Sequence, residues 1–281
     1  MSFQHEIYSP GVKVLDHGFI RLVDTMGNDD AIVDAARVSF GSTAAMHSKA
    51  QNRGLIRYMM RHRHTTPFEM CEIKIHVKLP ILVARQWIRH RTANVNEYSG
   101  RYREILNEFY VPEPEQICYQ SDSNRQGRGD AFENDMAVEL ADKIRAANHE
   151  SLSEYHYLLD QGMALETARG VTSVSQYTEW YWKCDLHNVL GFLSQRMDGH
   201  AQYEIRVYAN HLAEIVKAWV PVAWEAFEDY RLGAHTFSRQ EMEILRALVE
   251  SAPGYTGTVD ARSQLTEREW KAFLQALGRR G

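Results

Sequence analysis

Cys71-Glu-Ile-Lys-Ile-His-Val-Lys-Leu79 alternates apolar and polar side chains without a break. Successive side chains of a β-strand point to opposite faces of the sheet, so this pattern predicts a strand with one buried face. The segment that follows, Ile81–His90, has a helical pattern in which Arg85 and Arg89 lie one turn apart. A strand that passes directly into a helix indicates a mixed α/β fold.

The chain on either side of this segment supplies further strands and helices. Phe19–Met26 is predicted as a strand, and Asn28 or Asp29 caps a helix through Ala31–Val38. A second helix, Lys49–Arg63, should end at Thr65-Thr66-Pro67, because the residue before a proline is pushed out of the α region. Downstream, the pattern predicts an aromatic strand at Val174–Trp182 and helices within Asp130–Asp160, Asp185–Gln195 and His200–Ala218.

Two segments stand apart from this pattern. Glu113–Asp130 is polar and rich in Gly, Ser, Asn and Gln, which predicts a surface loop or insertion. After Tyr230 the character of the chain changes, and Ser238 and Thr266 each begin a capping box. We therefore expect a main domain over residues 1–232 and a helical extension over residues 233–281.

Length and composition exclude several classes of protein. The chain has 281 residues, of which 44% are hydrophobic and 25% charged, values typical of a globular protein and not of a disordered one. No apolar run approaches the roughly 18 residues of a membrane span, and the first residues lack the apolar stretch of a signal peptide. Three scattered cysteines do not make a disulfide framework. We expect a cytoplasmic protein that does not contact a membrane.

Charge is distributed unevenly along the chain, whose formal net charge is −5. The window from Arg53 to Arg103 contains nine Arg and two Lys but only three Glu, so it carries +8 while the remainder carries −13. A split of this size predicts that an otherwise acidic protein binds an anion at one place.

The densest chemical signal lies inside this window, in Gln86-Trp-Ile-Arg89-His90-Arg91 and, after a short polar stretch, Asn96-Glu97-Tyr-Ser99-Gly100-Arg101. A helix that ends in Arg-His-Arg presents guanidinium donors suited to a phosphate or carboxylate. The Ser-Gly pair predicts a tight turn whose backbone N–H groups can approach an anion. Taken alone, the same residues are also compatible with a solvated basic face.

The motif and its surroundings resemble a known family. Arg89-His90-Arg91, followed after seven residues by Ser99, is similar to the Arg-His-Arg…Ser signature of the flavin-dependent thymidylate synthases. Further segments that resemble this family are Leu15–Asn28, Ala35–Ser39, His64–Glu69, Val83–Trp87 and Arg196–Ile205. The matches run in order from about Leu15 to Tyr230, so the resemblance is far more specific than any single motif.

The resemblance implies an architecture and an activity. The expected fold is α/β (mixed α+β), with a central, mostly antiparallel sheet, flanking helices and a C-terminal helical extension. The expected activity is FAD-dependent synthesis of dTMP from dUMP, with 5,10-methylenetetrahydrofolate as carbon donor and NADPH as reductant. The resemblance also implies a homotetramer with active sites between subunits, and residues 1–232 as the catalytic domain.

The resemblance further implies roles for individual residues. Arg196 matches an arginine that activates uracil, and arginine suits this role because it stays charged and donates two parallel hydrogen bonds. His64 matches a histidine beside the flavin and the folate, where its tunable pKa suits proton relay or positioning. Positions that match dUMP contacts are Gln86, Arg89, Glu97, Tyr98, Ser99, Gly100, Arg101, Arg169 and Arg196. Positions that match FAD contacts are Ser39, Thr66, Glu69, Arg89, His90, Arg91, Thr92, Asn96, Glu97, Asp185, His187, Gly191 and His200.

The cysteines bear on the mechanism. The other type of thymidylate synthase attacks uracil with an activated thiolate, but Cys71 falls on the apolar face of its strand, where a buried structural thiol is expected. Cys118 and Cys184 have no adjacent base that would lower their pKa. Ser99 also lacks a partner base in the sequence, which favours a contact role over a nucleophilic one.

The chain departs from the family pattern at a few positions. Met70 stands where the family often has His, and Thr172-Ser173 where it frequently has Leu-Pro. Asp185-Leu186-His187 stands where many members carry Asn-Ala-Arg, and Gly191 stands where a side-chain contact is common. These departures put details of the contacts in doubt, and they motivate a hypothesis of a related one-carbon transfer to another deoxypyrimidine nucleotide.

Two further interpretations come from other classes. A metal site is suggested by His62-x-His64 and by His200 with Glu204 one turn later, but the surrounding arginines repel a cation, so we expect no metal. A nucleic-acid-binding module is suggested by the basic window with its interleaved aromatic residues. The acidic remainder would repel an extended polyanion, which favours a compact site for one nucleotide and no nucleic acid partner.

Overall fold

The computed structural model describes residues 11–122, 125–251 and 266–277, which fall into two compact units. The first unit ends at Leu232 and the second begins at Gly233. The first unit contains the sheet and its helices, and the second contains two helices.

Five strands of the first unit form one antiparallel sheet in the order β1-β2-β3-β7-β4. Their bounds are β1 Val12–Val14, β2 Gly18–Met26, β3 Glu72–Pro80, β4 Asn94–Glu97 and β7 Tyr177–Asp185, and a separate two-stranded sheet pairs β5 Cys118–Gln120 with β6 Arg128–Ala131. The alternating segment that predicted a half-buried strand is β3, at the centre of the larger sheet. The expected mixed fold with an antiparallel sheet is confirmed.

Helices alternate with the strands of this sheet along the chain. Those of the first unit are α1 Asp29–Arg37, α2 Lys49–Arg61, α3 Thr66–Glu69, α4 Ile81–Trp87, α5 Asn134–Asp160, α6 Leu165–Ala168, α7 Leu186–Arg196, α8 Tyr203–Trp219 and α9 Pro221–Phe227. A π-helical turn, Glu228–Leu232, ends the unit.

One face of the sheet forms the hydrophobic core. Ile73, Ile75, Val77 and Leu79, the apolar residues of β3, are fully buried. Each buried aliphatic side chain contributes roughly 1.5–3 kcal/mol. Trp87 at the end of α4 packs its ring against those of Trp180, Trp182, Phe192 and Tyr208, which join β7, α7 and α8 to the same core. This packing fixes the end of α4, where the Arg-His-Arg motif begins.

The other face of the sheet carries the polar residues of the alternating pattern. His76 of β3 lies 3.1 Å from the Glu179 carboxylate and stacks on Tyr181 at 4.7 Å. Burial lowers the pKa of His76, and the neighbouring charge of Arg21 lowers it further. Lys183 donates to Glu72 at 2.7 Å on the same face.

Several predicted boundaries are wrong by a few residues. The helix predicted to Arg63 ends at Arg61, and the segment around Pro67 begins the short helix α3 instead of a loop. Proline is favourable there because the first turn of a helix does not need its N–H group. The helix predicted to His90 ends at Trp87, and the aromatic strand runs over Tyr177–Asp185.

The segment predicted as a surface loop at Glu113–Asp130 is partly regular structure. It contains a 3₁₀ turn at Pro114–Gln116 and the β5–β6 hairpin. Composition alone indicated a loop because the hairpin is short and its strands are largely exposed. The short strands β1 and β4 and helix α9 were not predicted either.

The +8 window is less available to an anion than its charge suggests. Five of its eleven cations form ion pairs with carboxylates from outside the window: Arg53 and Arg57 with Glu225, Lys74 with Asp24, Lys78 with Glu108 and Arg101 with Glu166. Arg57 is only 4% exposed, so the arginine stripe of α2 joins this helix to α9.

The second unit contains α10 Arg239–Ser251 and α11 Glu267–Ala276. Both predicted capping boxes are confirmed: Ser238 and Thr266 accept hydrogen bonds from the backbones of Glu241 and Glu269, whose side chains accept in return. Arg246 donates to the carbonyl of Ala276 at 3.0 Å and so links the two helices. Among the helices described in either unit, none has both the length and the apolar character to cross a membrane.

Candidate active site

The C-terminal end of α7 meets the C-terminal end of α4. Arg196, the last residue of α7, donates from Nη2 to the backbone carbonyl of Gln86 at 3.4 Å. The Nε atom of Arg196 is buried and has no hydrogen-bond partner among the described residues. A buried donor without a partner costs free energy, which indicates that this guanidinium is placed to bind a ligand.

His90 lies beside this arginine. Its ring packs on Trp182 and Phe192, and its Nε2 lies 3.1 Å from the Thr92 hydroxyl. Burial lowers the pKa of His90, and the charge of Arg196 lowers it further, while Asp185 opposes both effects. The imidazole is therefore neutral at physiological pH. Arg196, which is 110 positions from Gln86, is thereby brought next to Gln86 and His90.

Beyond α4 the chain turns into the edge strand β4 and then into the Ser-Gly turn. The Tyr98 N–H donates to the carbonyl of Glu179 at 2.8 Å, which anchors the turn to β7. The Ser99 hydroxyl accepts from the Arg101 N–H at 3.3 Å, and the Ser99 carbonyl accepts from the N–H of Tyr102. The predicted tight turn is present. Within the described chain the Ser99 hydroxyl meets neither an imidazole nor a carboxylate.

The turn brings Arg101 and Arg169 to one surface. Arg101 donates from Nε to Glu166 at 3.0 Å, and Arg169 donates from Nε to the backbone carbonyl of Glu166 at 3.4 Å. Gly100 is buried between them, since a Cβ added there would lie 3.5 Å from Cδ of Arg169. Both arginines remain exposed, so each can still contact a ligand.

Glu97 and Asp185 are held in place by the protein. The Thr178 hydroxyl donates to Glu97 at 2.8 Å. Asp185 caps α7 and accepts from the backbone N–H of Asn188 at 2.9 Å and from its side chain at 2.7 Å. Both carboxylates are fixed acceptors for a ligand that presents donors.

A second group of predicted residues lines a separate cavity of about 210 Å³. His64, His187 and Gly191 lie in its wall, between the end of α2 and the first turns of α7. The His64 ring meets Tyr58 edge-on at 5.7 Å. Glycine at position 191 leaves the cavity open, because a Cβ there would meet nothing within 4 Å.

The same cavity contains two residues that were not singled out from the sequence, Arg63 and Arg231. Arg63 was counted only as part of the charge window, and Arg231 lies outside it. No sequence signal connects them, because they are 168 positions apart and meet only when the π-helical turn packs near the end of α2.

A hydrogen-bonded network behind Gln86 was also missed. The Gln86 amide donates to Gln202, and Gln202 donates to Glu204 at 2.7 Å. Glu204 is only 2% exposed, and it also accepts from Tyr110 at 3.0 Å and from Arg128 of the β5–β6 hairpin. The hairpin is thereby connected to the residues around Arg196.

The remaining predicted residues lie apart. Ser39 lies on the exposed turn Val38–Phe40, and His200 is 86% exposed with its Nδ1 at 2.8 Å from Asp198. Thr66 and Glu69 lie on α3, Asn96 lies on β4, and Arg89 and Arg91 are exposed beyond α4. Within the described chain no hydrogen bond or ion pair joins Ser39 or His200 to the other predicted site residues.

The structure also bears on the rival chemistries. The Glu204 carboxylate is engaged by the network described above, and His200 by Asp198, so the suggested His-Glu metal pair does not form in the described chain. No cluster of three or more His, Cys, Asp or Glu suited to a metal ion occurs among the described residues. Cys71 and Cys184 are buried, and burial raises the pKa of both thiols, that of Cys71 to about 11.

The residues around the cavity and Arg196 fit a planar, anionic cofactor such as a flavin nucleotide. Two imidazoles lie in the wall of the cavity, the buried Nε of Arg196 lacks a partner among the described residues, and exposed arginines lie nearby. Such a donor set suits a ring with hydrogen-bond acceptors and a phosphate-bearing tail.

Comparison with a family model and with known relatives gives the same family. The family model for Thymidylate synthase complementing protein (Thy1) matches residues 21–222. A flavin-dependent thymidylate synthase from Wolbachia pipientis wMel is 53% identical over 265 residues, covering 94% of this chain and 91% of that protein. One from Gluconobacter oxydans is 50% identical over 279 residues, covering 98% of this chain and 90% of that protein.

Solved structures with the same fold are similar as well. The crystal structure of a UMP/dUMP methylase, PolB from Streptomyces cacaoi bound with 5-Br dUMP, superposes with a TM-score of 0.71 and 33% sequence identity. The match covers 79% of this chain and 99% of that one. The share of this chain that it leaves uncovered is 21%.

Proposed function

Because the chain belongs to the flavin-dependent thymidylate synthase (Thy1) family and is a methyltransferase-type enzyme, we propose that it makes dTMP from dUMP. The proposed carbon donor is 5,10-methylenetetrahydrofolate, and the proposed reductant is NADPH. The relatives named above are flavin-dependent thymidylate synthases, and the neighbouring crystal structure holds a brominated dUMP.

The observation that carries the proposal is the meeting of Arg196 with Gln86 and His90. A guanidinium whose buried Nε has no partner among the described residues lies beside an imidazole of lowered pKa and the backbone carbonyl of Gln86. This combination presents a fixed positive charge and neutral hydrogen-bonding groups to the edge of a pyrimidine ring.

Arg196 would activate the uracil ring. C5 must become nucleophilic before it attacks a one-carbon electrophile, and loss of the N3 proton gives an enolate-like ring with negative charge on its oxygens. A guanidinium stabilises that charge by paired hydrogen bonds without titrating itself. Transfer then replaces the C5 proton with the carbon, and a hydride completes the methyl group.

Arginines on and near the Ser-Gly turn would bind the nucleotide's phosphate. Arg89, Arg101 and Arg169 are exposed, and Gly100 allows Ile105 and Arg169 to pack closely on the turn. Tyr98 and Glu97 would flank the sugar and base. The Ser99 hydroxyl would serve as a contact, since no base stands ready to activate it as a nucleophile.

FAD would lie between the His64 cavity and the Arg-His-Arg segment. Its proposed contacts on this chain are Thr66, Glu69, His90, Arg91, Thr92, Asn96, Asp185, His187 and Gly191. When bound, the flavin supplies the redox chemistry that passes reducing equivalents from NADPH to the transferred carbon. His64 would position the folate and flavin or hold a proton there. Ser39 and His200 would contact FAD from another subunit of a homotetramer.

The test is an assay of dTMP formation with dUMP, methylenetetrahydrofolate, NADPH and FAD, in which each component is omitted in turn. We expect a yellow protein with flavin absorbance, and dTMP only when dUMP, methylenetetrahydrofolate and NADPH are all present. Protein stripped of its flavin should form dTMP only after FAD is added. NADH in place of NADPH tests the choice of reductant. A colourless protein that forms no dTMP with added FAD would contradict the proposal.

A parallel reaction with UMP in place of dUMP tests the nucleotide, because the neighbouring structure is described as a UMP/dUMP methylase. We expect dUMP to be preferred. Methylation of another pyrimidine nucleotide at a higher kcat/KM would retain the reaction class and reject the assignment of dUMP.

A further inference from the structure

Two arginines line the His64 cavity without a role in the function proposed above. Arg63 follows the end of α2 directly before His64, and Arg231 lies in the π-helical turn that ends the first unit. Within the described chain neither guanidinium forms an ion pair, and no residue lining the cavity is acidic. The only charge partner of Arg231 among its neighbours is Arg63, which is of like sign.

Two like charges on one cavity repel each other, and a bound anion would offset that repulsion. Arg231 is half-buried and Arg63 is exposed. Burial lowers the pKa of Arg231, and the positive charge of Arg63 lowers it further. Two guanidiniums on one cavity, without an ion pair among the described residues, suit a doubly charged oxyanion or two carboxylates.

The backbone holds Arg63 in place despite local strain. Its φ is 59°, in the left-handed region that a residue with a Cβ rarely adopts. The N–H of Arg63 donates to the Met60 carbonyl at 3.3 Å, and the N–H of His64 donates to the Met59 carbonyl at 3.0 Å. Glycine would relieve the strain at this position, so the arginine occupies it in spite of its backbone preference.

The cavity floor indicates what the anion is attached to. Met59, Phe68, Leu190 and Phe227 form an apolar surface beneath the two arginines. A ligand that fits has an uncharged, preferably aromatic body that is joined closely to its negative charges. In a folate, a benzoyl ring is joined by a single amide to a glutamate with two carboxylates. The phosphates of NADPH and FAD are attached to polar ribose or ribityl groups instead.

We propose that Arg63 and Arg231 bind the glutamate carboxylates of the folate cosubstrate, with its benzoyl ring on the apolar floor. This inference rests on the proposed function, since that function supplies the folate. It assigns a specificity role to the cavity: additional glutamates on the folate extend the anion and strengthen binding. The interaction is electrostatic, so it weakens as ionic strength rises.

The experiment measures folate binding directly and then its kinetic effect. The flavin-loaded protein is titrated calorimetrically with tetrahydrofolate carrying one or three glutamates, at low and high salt. The variants are Arg63→Met, Arg231→Met and both together, which remove the charges and keep much of the side-chain length. Arg145→Met is the control, because Arg145 pairs with Asp142 on the exposed surface of α5.

We expect the double variant to bind the triglutamate at least about tenfold more weakly, since each charge-assisted hydrogen bond is worth about a tenfold change or more. It loses the preference for three glutamates over one and most of the salt dependence, while Arg145→Met behaves like the parent. The KM for methylenetetrahydrofolate rises similarly, and kcat changes less than about threefold. Arg63→Lys, which keeps the charge, recovers part of the loss.

Three results would overturn the assignment. Unchanged folate affinity in the double variant would reject it outright. Loss of bound FAD with unaltered folate affinity, or a rise in the KM for NADPH alone, would assign the arginines to a phosphate instead. Failure of the proposed function is recognised separately, because the parent protein would then form no dTMP whatever the arginine variants bind.

Discussion

Arg196 is the residue on which the proposed chemistry depends most directly. Its Nη2 donates to the Gln86 carbonyl, and its buried Nε has no partner among the described residues, so the guanidinium is both fixed and available. Replacing it removes charge stabilisation from the activated uracil and leaves the sheet and core intact. We expect the substitution to lower turnover more than it lowers stability.

We therefore expect Arg196→Ala to lower kcat for dTMP formation by at least about 10²- to 10³-fold, the range for removal of one preorganised donor. Arg196→Lys, which keeps the charge but loses the paired donors, should recover part of the activity. Steady-state assays at saturating dUMP measure both variants. Arg239→Ala is the control, because Arg239 pairs with the exposed Glu243 in the second unit.

The pKa of His90 provides a test of the fold of Arg196→Ala that does not depend on activity. The Arg196 charge lowers the pKa of His90, so its removal should raise that pKa while burial still holds it below the ordinary value. Proton NMR of the His90 ring reports this directly. Parental turnover in Arg196→Ala would contradict the proposed activation of uracil.

For the cysteines, in contrast to Arg196, we predict that substitution leaves activity in place. A variant with Cys71→Ser, Cys118→Ser and Cys184→Ser should retain synthase activity, because no thiolate is proposed to attack uracil.

Burial raises the pKa of Cys71 from 9.0 to about 11, so the folded state favours the neutral thiol. The neutral Cys71 thiol makes its full contribution to the free energy of unfolding below pH 9. This contribution, up to about 3 kcal/mol, is lost as the pH rises through 11. Denaturant unfolding at several pH values should show this loss of stability in Cys118→Ser, which keeps Cys71. The loss should be smaller in the triple variant, which lacks the Cys71 thiol. Complete inactivation of a folded triple variant would restore the thiolate mechanism.

At the scale of elements, the β5–β6 hairpin has a function that its composition did not reveal. Arg128 of β6 donates to the buried Glu204 carboxylate, which is connected through Gln202 to Gln86. The hairpin therefore helps to hold the end of α4 against α8. Since Gln86 is a proposed dUMP contact, we predict that the hairpin affects nucleotide binding through this network.

Arg128→Ala should raise the KM for dUMP about three- to tenfold and change kcat less, because Glu204 loses a charged partner and Gln202 loses its fixed orientation. Arg125→Ala, in the turn of the same hairpin, serves as the matched control. A KM for dUMP equal to that of the control would show that the network does not position Gln86.

Helices α2 and α9 are joined by ion pairs of unequal burial. Arg57 is 4% exposed and donates to Glu225 at 2.7 Å and to Asp229 at 2.6 Å, whereas Arg53 is 38% exposed. Solvent screens the Arg53 pair, so its contribution is small. Removing Arg57 leaves two carboxylates facing each other beside a buried space.

Accordingly, Arg57→Ala should lower the free energy of unfolding by about 1–3 kcal/mol, because it removes a buried donor whose carboxylate partners are partly exposed. Arg53→Ala should lower it by less than about 1 kcal/mol. Urea unfolding followed by circular dichroism measures both. Equal effects of the two substitutions would contradict the difference in burial. Neither variant should alter the KM for dUMP once the protein is folded.

At the scale of the whole molecule, we propose that another subunit completes the site. Among the described residues, no hydrogen bond or ion pair joins Ser39 or His200 to the other proposed FAD residues. Beside Ser39, the apolar side chains of Val38 and Phe40 are 74% and 82% exposed. Exposed apolar residues of this size on one turn indicate a surface for association. A homotetramer would cover this turn and supply the missing contacts.

Light scattering should give a mass four times that of the 32.5 kDa chain. Phe40→Asp should shift this mass towards smaller species and release FAD, because a charge on the covered turn is costly. Phe40→Tyr, which keeps the aromatic ring, should assemble normally. A monomeric parent protein with full activity would reject sites shared between subunits.

Much of the fold could be predicted from the sequence because it is recorded in local patterns. The alternation of Cys71–Leu79 specifies a strand buried on one face, and the capping boxes at Ser238 and Thr266 depend only on residues three positions apart. The Arg-His-Arg…Ser signature indicated the family for the same reason. The bounds of helices were less certain, because helix ends depend on how neighbouring elements pack.

The sequence by itself determined the class of fold, the family and most of the residues proposed to bind nucleotide and flavin. Only the tertiary structure decided which cations remain free: Arg57 and Lys78 are neutralised by carboxylates distant in sequence, whereas Arg63 and Arg231 converge unpaired on one cavity. It also decided that Arg128 supports Gln86 through Glu204. The physical reason is that charge compensation and buried hydrogen bonding are properties of pairs in space, which a linear order of residues does not contain.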